Sequence, residues 1–115
     1  MLLIPLEEGN SSIAQGFRKA PVFVFIDKEK GIVFQENHYK HEKSELFFEN
    51  FKNYDVDTIY VKGLGYKTYL KLDSLGIAVY FIEDVEEFTH IDPDKAIQIR
   101  ADNAEELCLM GHKKA

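Results

Sequence analysis

Two histidines three residues apart, His38 and His41, lie in a polar stretch between an apolar run and a helix-like repeat. Imidazole is a common ligand for zinc, copper, nickel and iron, so this pair is the chain's candidate for metal or cluster contact. Two ligands do not close a site, and Glu36, Glu42 or a partner chain would have to complete one. Solvated loop histidines with no metal are the alternative reading. A second candidate is Gly63-Leu64-Gly65, which runs from an apolar segment into a helix start. Unpaired amides and the helix dipole favour an anion there, and Lys62, Arg18 and Lys19 could add charge. Two glycines before a helix equally serve a tight turn, and the Gly-Lys-Ser/Thr ending of a phosphate-binding loop is absent.

Other reactive residues read as structural. Cys108 is the only cysteine, so neither an internal disulfide nor a zinc motif of paired cysteines can form. It falls on an apolar stripe with no His, Lys or second Cys beside it, which fits a buried, inert thiol. His90 precedes an Ile-Asp-Pro connection and His112 lies near the end, and both read as surface residues. Glu83-Asp84 with Glu86-Glu87 is a solvated, helix-starting acidic face. No Ser, His and Asp set with a glycine elbow occurs, so the expected protein is noncatalytic.

The elements that must position these residues follow from periodicity. Leu2–Leu6 is a short buried-type strand, followed by a loop over residues 7–20. Pro21 opens a second strand over 22–26, and Asp27-Lys28-Glu29-Lys30-Gly31 turns the chain into a third over 32–37. Leu46, Phe47, Phe51 and Tyr54 recur at helical spacing behind Ser44 as N-cap. A fourth strand is expected over 56–61. Gly65 then begins a helix that turns Tyr69, Leu72 and Leu75 to the core and ends at Gly76. A fifth strand covers 77–82, a short helical turn is expected at 84–88, and Asp92-Pro93 restarts a helix carrying Ile97, Ala101, Ala104 and Cys108. Residues 111–115 should fray.

This order indicates an α/β sandwich on a mixed sheet, with strands one, four and five parallel and strand two antiparallel to strand one. The loop 7–20, the loop 37–43 and the turn 62–65 then emerge at one edge, where open α/β sheets bind ligands.

Composition sets the outer limits. The 115 residues, 45% hydrophobic and 13% aromatic, suit one ordinary globular domain spanning 1–115. A net charge of −6 disfavours nucleic acid and anionic membrane surfaces, both of which need clustered Lys and Arg. No apolar run approaches a membrane span, and residues 1–6 lack a basic leader and a cleavage site, so a cytoplasmic protein is expected.

The run Gly16-Phe17-Arg18-Lys19-Ala20-Pro21 before Val22-Phe23-Val24-Phe25-Ile26-Asp27 is distinctive. With Val56-Asp57, Gly63-Leu64-Gly65 and Leu75-Gly76-Ile77-Ala78-Val79-Tyr80, it resembles the dinitrogenase iron-molybdenum cofactor biosynthesis family over nearly the whole chain. That family usually carries histidine and then Phe-Gly-Arg-Ala-Pro in its first loop. Here Gly16 stands at the histidine position, Arg18-Lys19 replace Gly-Arg, and Phe17, Ala20 and Pro21 agree.

The resemblance implies a three-layer ribonuclease-H-like fold with a five-stranded sheet of order 3-2-1-4-5. It also implies an iron-sulfur or iron-molybdenum cluster as cargo, exchanged with cluster donor and acceptor proteins. The rim would consist of Gln15, Gly16, Phe17, Arg18, Lys19, Gly63 and Gly65, with His38 and His41 as metal ligands. Arg18 and Lys19 would act as charge partners and the glycine amides as hydrogen-bond donors. Nuclease chemistry of such a sheet needs carboxylates on strands one and four, and strand one has none while Asp57 starts strand four at the wrong edge. The rival reading is a metal-free interaction or regulatory module, favoured by Gly16 and by any exposed patch of Phe47, Phe48 and Phe51. A homodimer through an outer strand is a further possibility.

Overall fold

The computed structural model describes residues 1–9, 11–83 and 85–112, with the side chains of 109–112 excepted. Asn10 in the first loop, Asp84 in the expected helical turn, the side chain of His112 and residues 113–115 lie outside the described residues, whereas Gly111 and His112, expected to fray, are the last two residues of the helix Ala104–His112. Six strands form one sheet: β1 (Leu2–Leu6), β2 (Val22–Asp27), β3 (Gly31–Glu36), β4 (Thr58–Val61), β5 (Ala78–Phe81) and β6 (Ile97–Gln98). Their order is β3-β2-β1-β4-β5-β6. The helices are α1 (Ser44–Phe51), α2 (Tyr66–Ser74) and α3 (Ala104–His112).

Local chemistry explains the turns. Asp27 pairs with Gly31 across the β2–β3 hairpin, its carboxylate accepts the Glu29 N–H at 2.9 Å, and Gly31 takes the left-handed conformation that closes a three-residue loop. Gly76 (φ 77°) ends α2. Its N–H donates to the Asp73 carbonyl and the Ile77 N–H to the Leu72 carbonyl, so the helix end satisfies its own acceptors.

Both parallel crossovers, β1 to β4 and β4 to β5, step the same way along the sheet. A right-handed path therefore puts α1 and α2 on one face. There Phe47, Phe48 and Phe51 of α1, Tyr69 and Leu72 of α2, and Ala104 and Cys108 of α3 close over Leu3, Phe23, Phe25, Ile59, Val61, Val79 and Phe81. Ile4, Leu6 and Val24 point the other way and are covered by Ile13, Ile82 and Phe88.

Several expectations need correction. The five-stranded order is extended by β6, which runs antiparallel to β5 through Phe81↔Ile97 and Tyr80↔Gln98. Ile97 is thus a strand residue, not part of the last helix. Asp92 does cap, accepting the Asp94 N–H at 3.0 Å, but only a 3-10 turn at Pro93–Lys95 follows before Ala96 returns to extended backbone. The helical turn at 84–88 is instead a 3-10 turn at Phe88–His90. A third, helical layer is absent among the described residues, because the segment over the second face is interrupted by these short turns and feeds β6. Leu75 sits at the end of α2 and is exposed. Lys43, not Ser44, occupies the N-cap of α1 and makes no side-chain cap bond.

Candidate functional site

β1 and β3 are both antiparallel to β2, and β4 and β5 are parallel to β1, so all four end at one edge. The loops 7–21, 37–43, 62–65 and 82–96 leave from there. Between β1 and β4 the ladder stops after Leu3↔Ile59, and Pro5 beyond it has no amide to give. The chain fills this opening with its own first loop. Ile13 pairs back on Leu6, the Ala14 N–H donates to the Pro5 carbonyl at 2.9 Å, and the Ile13 N–H donates to the Glu86 carbonyl at 2.7 Å. Lys62, nearly buried, joins its Nζ to Glu86 at 3.3 Å and fixes the 82–96 segment to the end of β4.

The open part of the edge lies beside β1, β2 and β3, and Asn37 builds it. This residue is 3% exposed and is the only buried polar side chain among the described residues. Its Nδ2 donates to the Arg18 carbonyl at 2.9 Å and to the Ala20 carbonyl at 2.8 Å. Its Oδ1 accepts the Tyr39 N–H at 3.1 Å, and its own N–H donates to the Pro21 carbonyl at 2.9 Å. All of this residue's polar atoms named here are matched, which is the condition for burying an amide without penalty. Arg18 adds a second tie, donating from a guanidinium nitrogen to the Glu42 carbonyl at 2.8 Å.

Phe17 anchors the first loop from below. Its ring is 2% exposed, stacks on Phe23 at 5.7 Å, and meets Phe47 and Phe51 edge-on at 5.6 and 5.5 Å. It therefore supports the rim and is not part of its surface. Gln15, Gly16 and Lys19 are exposed around it, Arg18 half so. A Cβ at Gly16 would meet nothing within 4 Å, and the backbone there is not in the left-handed region.

His38 and His41 are both exposed, on the loop that Asn37 and Arg18 lock to the first loop. The structure brings these two loops together. Gly63 and Gly65 reach the same edge from β4, with Gly63 buried and Gly65 at the α2 N-cap, but no hydrogen bond joins them to the two loops among the described residues. Lys62 is spent on Glu86. Glu36 and Glu42 do not complete a metal site with the histidines, since no group of three or more His, Cys, Asp or Glu side chains converges among the described residues. The donor set is two imidazoles, one guanidinium with further N–H groups and the amides at a helix start. It falls short of the four ligands of a structural zinc.

The sequence around Asn37 carries only a local turn signal. An asparagine after a strand signals a turn, and it does make one through Tyr39, but its burial comes from two carbonyls supplied by a loop 17–19 positions away. Phe47, Phe48 and Phe51, which would have formed an exposed patch in a metal-free module, are core residues.

Cys108 is buried, and burial pushes its thiol above the ordinary range. Its reaction with a disulfide reagent at neutral pH is expected to be roughly a hundredfold slower in the native chain than in urea. Thiol titration under both conditions checks this. The raised value also means that this contribution to stability is intact below the unfolded thiol's pKa and is lost as alkali carries the pH up through the folded one.

The description "Dinitrogenase iron-molybdenum cofactor" belongs to a family model that matches residues 1–90. No curated protein matches. Among solved structures, the protein PH0822 is 25% identical with a TM-score of 0.58, covering 68% of this chain and 72% of its own. A candidate dinitrogenase from Methanocaldococcus jannaschii is 17% identical with a TM-score of 0.53, covering 98% of this chain and 88% of its own. A candidate NifB protein from Thermotoga, described as of the DUF35 family, is 18% identical with a TM-score of 0.57, covering 96% and 87%. The last two share the fold. With three quarters of its length matched, from the first strand through the segment that packs against Ile13, the chain belongs to the dinitrogenase iron-molybdenum cofactor family.

Proposed function

We propose that this chain holds or passes an iron-sulfur or iron-molybdenum cluster during metallocofactor assembly, without catalysing a reaction, between donor and acceptor proteins of the cytoplasm. Family membership ties it to processes around the dinitrogenase cofactor. The observation that carries the finer reading is the locked pair of loops, which presents His38 and His41 outward beside Gln15, Gly16, Arg18 and Lys19. In this reading the histidines ligate exposed metal atoms. Lys19 and the remaining N–H groups of Arg18 face the cluster's negative charge.

A metal-free interaction module is the second reading, and Gly16 in the family's histidine position favours it. The test is anaerobic incubation of the purified chain with a cluster donor, gel filtration and metal analysis, beside the double variant His38→Ala, His41→Ala. Stoichiometric metal on the parent and its loss on the variant is the expected result. A metal-free parent rejects the carrier reading for that cluster.

Gly16→His supplies a third imidazole where nothing obstructs it. Its stability is expected to stay within about 0.5 kcal/mol of the parent's. Its metal retention when a chelator is added after the same loading is expected to exceed the parent's.

A further inference from the structure

We infer that β3 is the contact strand of a homodimer, paired antiparallel with β3 of a second copy about a two-fold axis at Val33. β3 is the long outer strand of the sheet, whereas the opposite edge, β6, has only two residues. Outer strands are normally blunted by lysine, proline or shortness. β3 has none of these over Gly31–Glu36, and Ile32, Val33 and Phe34 are 53%, 47% and 42% exposed.

The existing ladder dictates how a second strand can join. The Asn37 N–H donates to the Pro21 carbonyl, so 37 belongs to the hydrogen-bonded set toward β2, and with it 35, 33 and 31. The N–H and C=O groups of Ile32, Phe34 and Glu36 therefore point outward. A two-fold pairing must oppose residues of the same sheet face, which leaves registers centred on a residue and not between two.

Centring on Val33 sets Ile32 opposite the partner's Phe34 and, at the level of the turn, Lys30 opposite the partner's Glu36. Each pair occurs twice. It also sets the partner's Gln35 over Gly31, where an apolar cavity of about 150 Å³ is lined by Met1, Phe25, Val33 and Tyr54 among others. Centring on Phe34 would instead place Ile32 against the partner's Glu36. Charge and shape thus select Val33 as the axis, and a second copy as the occupant, because the strand complements itself.

Val33→Cys tests both the dimer and its register. Directly opposed residues of a non-hydrogen-bonded pair lie about 4.5 Å apart at Cα, within disulfide reach. Mild oxidation of Val33→Cys should give a crosslinked dimer, Phe34→Cys should not, and the native Cys108 is buried and does not compete. Light scattering of the parent from about 10 µM to about 1 mM should show concentration-dependent dimer, and Lys30→Glu should weaken it while Lys30→Glu with Glu36→Lys restores it. A parent that stays monomeric throughout, or crosslinking of Phe34→Cys in place of Val33→Cys, overturns the assignment. A monomer that instead adds a strand from another protein overturns it equally. None of these readouts depends on cluster binding.

Discussion

Phe17→Ala is expected to destabilise the fold by about 4 kcal/mol, the cost of removing a fully buried aromatic side chain and leaving its space open. Phe17 belongs to a loop, yet it meets three other phenylalanines from β2 and α1. The cavity would therefore lie under the rim, between the sheet and α1, where neighbouring rings cannot collapse without moving the helix. Urea unfolding of parent and variant measures the loss, and a midpoint shift without a change in slope identifies it as stability. Phe17→Leu should recover part of the loss, since it refills much of the volume.

Asn37→Ala is expected to cost about 3 kcal/mol, because it leaves two carbonyls and one N–H of the enclosed loops without partners. The lost bonds are those to Arg18, Ala20 and Tyr39. Asn37→Asp keeps the size and the acceptor for Tyr39, but turns an oxygen toward two carbonyl oxygens, so it should be no more stable than the alanine variant. Urea unfolding again reads the effect. A consequence for function follows: both variants keep His38 and His41 but release the loops that carry them. Their cluster retention should fall below the parent's under conditions where they remain folded. If retention is unchanged, the lock is not needed to hold the cargo.

Much of the scaffold was legible because its signals are local. The apolar run of β1, the Asp-to-Gly turn between β2 and β3, and Gly76 at the end of α2 each depend on neighbours in sequence. β6 was not legible. Ile97, Ala101, Ala104 and Cys108 have helical spacing, and only the pairing of two residues with β5 makes Ile97 a strand residue. Leu75 fits the apolar stripe of α2, but the helix ends beside it and leaves it exposed.

The candidate site divides in the same way. His38, His41 and Lys19 could be named from residue type and loop position, and they do lie exposed at the expected edge. The roles of Phe17, Lys62 and Asn37 depend on contacts far along the chain. The family pattern places Phe17 in the rim, and its ring instead fills the core. Lys62 reads in sequence as a charge for an anion, and Glu86 takes it up 24 positions later.

The most direct test of the account follows amide signals of the ¹⁵N-labelled chain by NMR while a paramagnetic iron-sulfur or iron-molybdenum cluster is added anaerobically. The cluster broadens signals close to it. The account predicts loss of the signals of Gln15, Gly16, Lys19, His38 and His41, with those of Lys28, Glu29 and Gly76 at the opposite edge retained. Retention of the loop signals, or broadening centred on another face of the molecule, would contradict it.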